Sequence, residues 1–283
     1  MKFMCLADLH ENKKKWQQLV GEVEKQNPDI VVVAGDLIPK EDGILNQLSL
    51  FPEFKRHASS IRETGAELVL ILGNDDNRLL ISEMEKGEEE GLWHYTVDRV
   101  KKIKGYEFCG CPWVPDYPFP YKHWVAPESK DNLAISGFQL DQPIRINDDN
   151  QIEIINNLEE YLAAKPSIQE VLDELAAEVQ DLSNSIWLIH GPPANLALDV
   201  CGSGDRVGSQ AVYQFLLDKQ PLLSVHGHIH EAPAHNGNVW ASKVGKTTCI
   251  QPGQLDRELY YVTFELEDGQ IKHLNHSIYG IFQ

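Results

Sequence analysis

The chain is 283 residues long, 42% of them apolar, with a formal net charge of −18. That length suffices to bury a large core, as one sizeable α/β domain or two smaller ones, and no apolar run reaches the 18 residues of a spanning helix. Proteins that grip duplex nucleic acid or an anionic membrane through basic patches do not carry this balance, so neither is an expected partner.

The opening MKFMCLADLHENKKK has too short an apolar stretch for a signal peptide. It reads as a strand over Phe3–Ala7 leading to an amphipathic helix over Glu11–Lys25, with Lys13, Lys14 and Lys15 on a solvated face. Ile30–Ala34 is a β-branched run and reads as a buried strand; a helix near Glu53–Thr64 and a strand at Leu68–Leu72 follow. Strand, helix, strand, helix, strand at this spacing predicts parallel βαβ units.

The middle of the chain changes character. Residues 105–150 are rich in aromatics and prolines (CPWVPDYPFPYKHW), and two helices are predicted at Ile152–Leu162 and Ile168–Leu182, the second capped by Ser167. The whole chain, 1–283, is expected as a single domain, with about 81–184 an aromatic and helical insertion laid over its core. The core pattern then resumes: a strand at Ser185–Ile189, a helix at Ser209–Asp218 and a strand at Leu222–Val225. Meandering β follows at Asn238–Ser242, Thr247–Ile250, Leu259–Glu265 and Ile271–Asn275, with Asp268-Gly269 a hairpin turn. Five irregularly spaced cysteines (5, 109, 111, 201 and 249) argue against a disulfide framework and for a reducing cytoplasm.

Metal-ligand chemistry follows each predicted core strand: Asp8-Leu9-His10, Gly35-Asp36, Gly73-Asn74-Asp75-Asp76, His190-Gly191 and His226-Gly227-His228-Ile229-His230. Taken singly these are weak signals, since Asp-x-His and Gly-Asp are common and a lone strand-end histidine is usually structural. In order and at successive strand ends they converge, because ligands of a parallel sheet gather beyond its carboxyl edge. Asp8 and His10, like His228 and His230, lie two apart, so extended backbone would point each pair one way. Imidazole, carboxylate and amide together suit manganese, iron or zinc better than calcium.

The series Asp8-x-His10, Gly35-Asp36, Gly73-Asn74, His190 and Gly227-His228-x-His230 resembles the calcineurin-like metallophosphoesterase superfamily over roughly residues 1–80 and 185–255. The runs His190-Gly191-Pro192-Pro193 and Gly227–Glu231 look most like its smaller bacterial-type members. The resemblance implies a four-layer α/β/β/α sandwich of two mixed β-sheets flanked by helices. It also implies two divalent ions (manganese, iron or zinc), one on Asp8, His10 and His230, the other on Asn74, His190 and His228, with Asp36 bridging. The implied activity is hydrolysis of a phosphomonoester or phosphodiester of a small phosphorylated substrate by metal-activated hydroxide, with Asp36, Asn74, Asp75 and His228 as catalytic residues.

One position departs from that pattern: the family's histidine after the asparagine is replaced by Asp75. A carboxyl of reference pKa about 3.9 takes the place of an imidazole near about 6.5, so a proton donor is lost and a negative charge gained beside the phosphate. Three outcomes are open. In the first, metal activation alone suffices for substrates with good leaving groups. In the second, His226, His94 or His123 supplies the proton. In the third, the chain is a weakly active or non-catalytic metal- or ligand-binding module. A nuclease is the remaining enzymatic alternative, disfavoured by the acidity. The Gly-rich Cys201–Ser209 loop with Arg206 is a candidate phosphate contact at a helix start. Trp113, Tyr117, Phe119, Tyr121 and Trp124 form either a pocket wall or a packing cluster. His57, His235, His273 and His276 are expected at the surface.

Overall fold

The computed structural model describes residues 1–11, 14–40, 43–255 and 258–282. The chain runs β1 (Lys2–Leu6), α1 (Lys14–Gln26), β2 (Ile30–Ala34), α2 (Gln47–Glu63), β3 (Glu67–Ile71), α3 (Leu80–Glu89) and β4 (His94–Tyr95). Next come β5 (Val100–Ile103), β6 (Tyr106–Cys111), β7 (Ile144–Ile146), β8 (Ile152–Ile154), α4 (Leu158–Ala163), α5 (Ile168–Glu178), β9 (Ser185–Ile189), α6 (Gln210–Lys219) and β10 (Leu223–Val225). The last part holds α7 (Ala232–His235), β11 (Ala241–Val244), β12 (Thr247–Ile250), β13 (Val262–Glu267), β14 (Gln270–His276) and β15 (Gly280–Ile281). No helix among the described residues is long and apolar enough to cross a membrane.

Two mixed sheets form the frame. The first has the order β15-β14-β13-β1-β2-β3-β4 and the second β11-β12-β10-β9-β6-β5. Within them β1, β2, β3 and β4 run parallel, as do β6, β9, β10 and β12. Alternation along the second sheet shows how it is sandwiched. Phe108, Ile186 and Leu188 share a core with the first sheet's Phe3, Val32 and Leu70, whereas Cys109, Trp187 and Ile189 face Leu172, Leu175 and Phe215 of α5 and α6. Trp16 and Leu19 of α1 and Phe51 and Phe54 of α2 join the first core. Both faces of each sheet are therefore covered, which is why β2 reads as unbroken IVVVA and is buried throughout.

Most predicted elements of the two core halves appear within a few residues of their expected bounds, including the Asp268-Gly269 turn joining β13 to β14, but α2 begins at Gln47, six residues before the expected Glu53. Ser167 caps α5 in a reciprocal box with Glu170. Several expectations are corrected. Ile152–Ile154 pairs with β7 and is not helical, because Asn147 accepts from Asp149 N and Gln151 N and folds the chain back; the helix begins only at Asn157, which accepts from Glu160 N. The segment 81–184 is more than a cover, since it supplies β4 to the first sheet and β5 and β6 to the second. Lys14 is exposed but Lys15 is buried, and Lys13 lies outside the described residues. His276 is buried, donating from Nε2 to Pro252 O at 2.8 Å amid Trp240, Tyr260 and Tyr279, because it ends β14 on its inward face. All five cysteines are free thiols, and four of them are buried.

The aromatic stretch between β6 and β7 is held by a buried ion pair, Lys122 Nζ to Asp116 Oδ1 at 2.8 Å, with both side chains fully covered. Lys122 Nζ also donates to Tyr117 O. Removing one partner leaves a buried charge uncompensated, so Asp116→Ala should lower the unfolding free energy by about 3–5 kcal/mol in urea denaturation. A loss below about 1 kcal/mol would mean that water reaches the ammonium instead.

Candidate metal centre

The carboxyl ends of β1, β2, β3, β9 and β10 meet where the two sheets adjoin, and main-chain bonds lock the segments that leave them. Asp8 N donates to Gly35 O, His10 N to Asp36 O, His190 N to Cys111 O and Gly227 N to His190 O. The two sheets are joined through His228 N, which donates to Asp8 Oδ1 at 2.9 Å.

Seven side chains converge there. His10 Nε2 lies 3.6 Å, and His190 Nε2 3.4 Å, from the same Asp36 oxygen, Oδ2. His230 Nε2 is 3.2 Å from His10 Nε2 and 3.8 Å from Asp8 Oδ1. On the other side Asn74 Oδ1 is 2.9 Å from His190 Nε2 and 2.5 Å from His228 Nδ1. Asp36 is shared by two close triads, His10-Asp36-His230 and Asp8-Asp36-His190, and Asn74 and His228 stand beside His190.

The extended-strand argument for the two i, i+2 pairs is corrected. β1 and β10 have already ended, His10 sits in a short 3₁₀ turn, and Asp8 and His228 have φ of 58° and 71°. Asp36 has φ 54° as well. Left-handed backbone at three converging residues is a local strain that surrounding structure must hold. Glycines make room for it. A Cβ on Gly73 would lie 2.7 Å from His190 Cε1, and one on Gly35 2.5 Å from His190 Nδ1.

The donor set fits divalent cations. Asp8 and Asp36 are almost wholly buried, and Asp8 Oδ2 has no hydrogen-bond partner. Burial raises the Asp8 pKa, and a carboxyl oxygen in that position is one that a cation or a proton would satisfy. Burial drives His10 and His228 down to about 3, keeping both imidazoles neutral, the form that ligates metal. Burial also opposes charge on His190, but the carboxylates of Asp36 and Asp8 outweigh it and raise it to about 9. His190 Nδ1 donates to Ala34 O at 2.8 Å, which aims Nε2 at the centre.

Asp75, at the unusual position, holds its neighbours. Its backbone N donates to Asp36 Oδ1 at 2.8 Å, its Oδ1 accepts from Asn74 Nδ2 at 3.1 Å, and its Oδ2 lies 2.5 Å from Lys40 Nζ. Burial and the Asp36 carboxylate push its carboxyl up, with Lys40 opposing; bound cations would oppose it further. None of the alternative histidines lines the cavity at the centre. His226 bonds Ile189 O and Ser224 Oγ, His94 pairs with Glu67, and His123 packs on Tyr121 and Trp124.

That cavity, about 650 Å³, is bounded by Asp36, Asn74, Asp75, His228 and His230 on one side and by Pro115, Tyr117, Phe119 and Phe138 on another. The predicted aromatic segment thus divides. Tyr117 and Phe119 form wall, with the Tyr117 ring 5.4 Å from His228. Trp113, Tyr121 and Trp124 are packing, with Trp124 Nε1 donating to Asp76 O and Tyr121 Oη accepting from Arg78 N. Arg206 does not line the cavity; its guanidinium approaches Asp199 at 3.8 Å. The helix start beyond the Gly-rich loop is already engaged, since Glu128 accepts from Ser209 Oγ, Gln210 N and Ala211 N.

Sequence reasoning missed the residues that brace the loops. Asp76 accepts from Leu37 N, Ile38 N and Gly73 N, tying the Asp36 and Asn74 loops together. Gln47 bridges Ile38 O and Asp75 O, Gln251 donates to Gly227 O, and Gln254 donates to Ala7 O and Tyr260 O. Gln251 and Gln254 follow β12, so the strand-end rule used for the other loops would have pointed at them. Because clearance at Gly73 sets the positions of Asp36 and His190, Gly73→Ala should weaken manganese binding by about 10–100-fold in calorimetric titration of the folded chain.

No curated protein matches the sequence. Solved structures are similar at low identity, among them the following three. One crystal structure aligns with TM-score 0.62 at 15% identity, covering 96% of this chain and 97% of its own. Protein TT1561 of Thermus thermophilus gives 0.57 at 14%, covering 96% of each chain. A dimetal phosphatase from Danio rerio gives 0.54 at 12%, covering 95% of this chain and 93% of its own. These likenesses establish a shared fold, two mixed sheets flanked by helices. The calcineurin-like phosphoesterase family model matches residues 1–232, which takes in all seven converging side chains, and the chain belongs to that family.

Proposed function

We propose that this protein is a binuclear-metal phosphoesterase that hydrolyses a phosphomonoester or phosphodiester bond of a small substrate. The observation that carries the reading is the placement of Asp36 Oδ2 between His10 and His190, with Asp36 common to two triads close enough to hold an ion, His10-Asp36-His230 and Asp8-Asp36-His190. Asp8, His10 and His230 would hold one divalent ion, Asn74, His190 and His228 the other, and Asp36 both. Manganese, iron and zinc all suit this set. Bound there, two such ions supply Lewis-acid polarisation of the phosphoryl group and a water acidified toward neutrality.

The chain's own groups do the rest. Asp75 turns the Asn74 amide so that its oxygen faces His190 and His228 while its NH₂ points away. Tyr117, Phe119 and Phe138 narrow the approach to a cavity the size of a small molecule. That size, with the net charge of −18, disfavours a nuclease acting on duplexes.

A second reading, a metal- or ligand-binding module without turnover, draws support from the absence of His94, His123 and His226 from the cavity lining. Elemental analysis and a panel of aryl phosphomonoesters and bis-aryl phosphodiesters separate the two. Two metals per chain, with turnover that Asp36→Asn lowers at least about a hundredfold, is the outcome expected of the enzyme. Two metals with no turnover on any ester would favour the module, and a metal-free chain after manganese loading would overturn both.

A further inference from the structure

We infer that Lys40 is the phosphate-binding cation of this cavity, held toward the metal donors by Asp75. Among the described residues that line the cavity, Lys40 is the one lysine or arginine, and it shares the space with Asp36, Asp75, Asp116, Glu128 and Glu231. Four of those carboxylates have partners of their own: Asp116 has Lys122, Glu128 the start of α6, Glu231 the Gly202 N–H, and Asp36 the Asp75 N–H with His10 and His190. Lys40 instead meets Asp75, at 2.5 Å. The same Asp75 oxygen is 3.6 Å from His10 Nδ1, so the ammonium stands within one carboxylate of the metal donors.

The Lys40 side chain is 42% exposed while that of Asp75 is 14% exposed. The carboxylate is thus the fixed partner, and the ammonium is the end that reaches open cavity. An ammonium has three N–H donors, and one carboxylate oxygen engages one of them. The others point a compact charge at an incoming anion, the role a lysine fills at phosphate sites. An acidic residue in the asparagine loop is then compatible with an anionic substrate, because its charge is offset at the cavity wall and serves to position the lysine. Arg206, the other cationic candidate, stays outside. The inference rests on the phosphoesterase reading for its substrate but not for its geometry.

The test uses the full chain loaded with manganese, inorganic phosphate as probe in calorimetry, and metal content measured for every variant. Lys40→Met should keep both metals, weaken phosphate binding at least about tenfold and raise KM for aryl phosphates, whereas Lys40→Arg should stay within about threefold of the unaltered chain. The double variant Asp75→Asn with Lys40→Met should remain weak. Recovery of binding in the double variant would make Lys40 only a counter-ion for Asp75 and overturn the assignment. Unchanged phosphate binding in Lys40→Met, or no phosphate binding by the unaltered loaded chain, would overturn it equally. If the loaded chain binds phosphate but turns over no ester, the phosphoesterase reading fails, and the same binding ratios still decide the role of Lys40.

Discussion

Two carboxylates, Asp8 and Asp36, are buried where two β-sheets meet, and burial of unpaired negative charge is among the costliest arrangements a protein can hold. The surrounding structure answers that cost. Imidazoles from four histidines face the carboxylates, backbone N–H groups of Asp75 and His228 donate to them, and the remaining oxygen of Asp8 has no hydrogen-bond partner. Cation binding and the sandwich are therefore linked. The first sheet brings Asp8, His10, Asp36 and Asn74, and the second His190, His228 and His230.

Holding the donors demands an unusual backbone. Asp8, Asp36 and His228 occupy left-handed conformations, and the space beside them is kept clear by Gly35 and Gly73. Such strain persists only where the neighbourhood over-determines it. Asp76 and three buried glutamines do this from behind the site, each bonding main-chain groups of loops that carry ligands. Both ends of the Gln47 and Gln254 amides bond main-chain groups, and Gln251 bonds through its NH₂ alone, its Oε1 being buried without a partner.

The segment between β6 and α5 has a different task. Its prolines and aromatics build a wall across from the metal donors, anchored by the Lys122–Asp116 pair and by Lys165, whose ammonium donates to three main-chain carbonyls. Burial lowers Lys165 to about 7. Glu128 from the same segment occupies the start of α6, so a helix end suited to a phosphate is spent on holding this wall to the second sheet.

The converging residues and their order along the chain were readable from sequence, because most stand just past a strand whose apolar run is hard to mistake: Met4–Leu6, Ile30–Ala34, Leu68–Ile71, Ile186–Ile189. The hairpin at Asp268-Gly269 and the cap at Ser167 were equally local. What sequence could not show depended on distance in space. Asp75 read as an isolated negative charge, and only the fold brings Lys40, 35 positions earlier, to within contact of it. His94, His123 and His226 read as possible proton donors, and only the fold turns them away from the cavity. The helix expected at Ile152–Leu162 gave way to a strand because Asn147 folded the chain onto β7; that hairpin is local, and the turn run Asn147–Asn150 was its signal. Periodicity and strand-end position are properties of neighbouring residues, so they survive in the sequence; the charge beside a carboxylate and the direction of an imidazole are set by segments that meet only after folding.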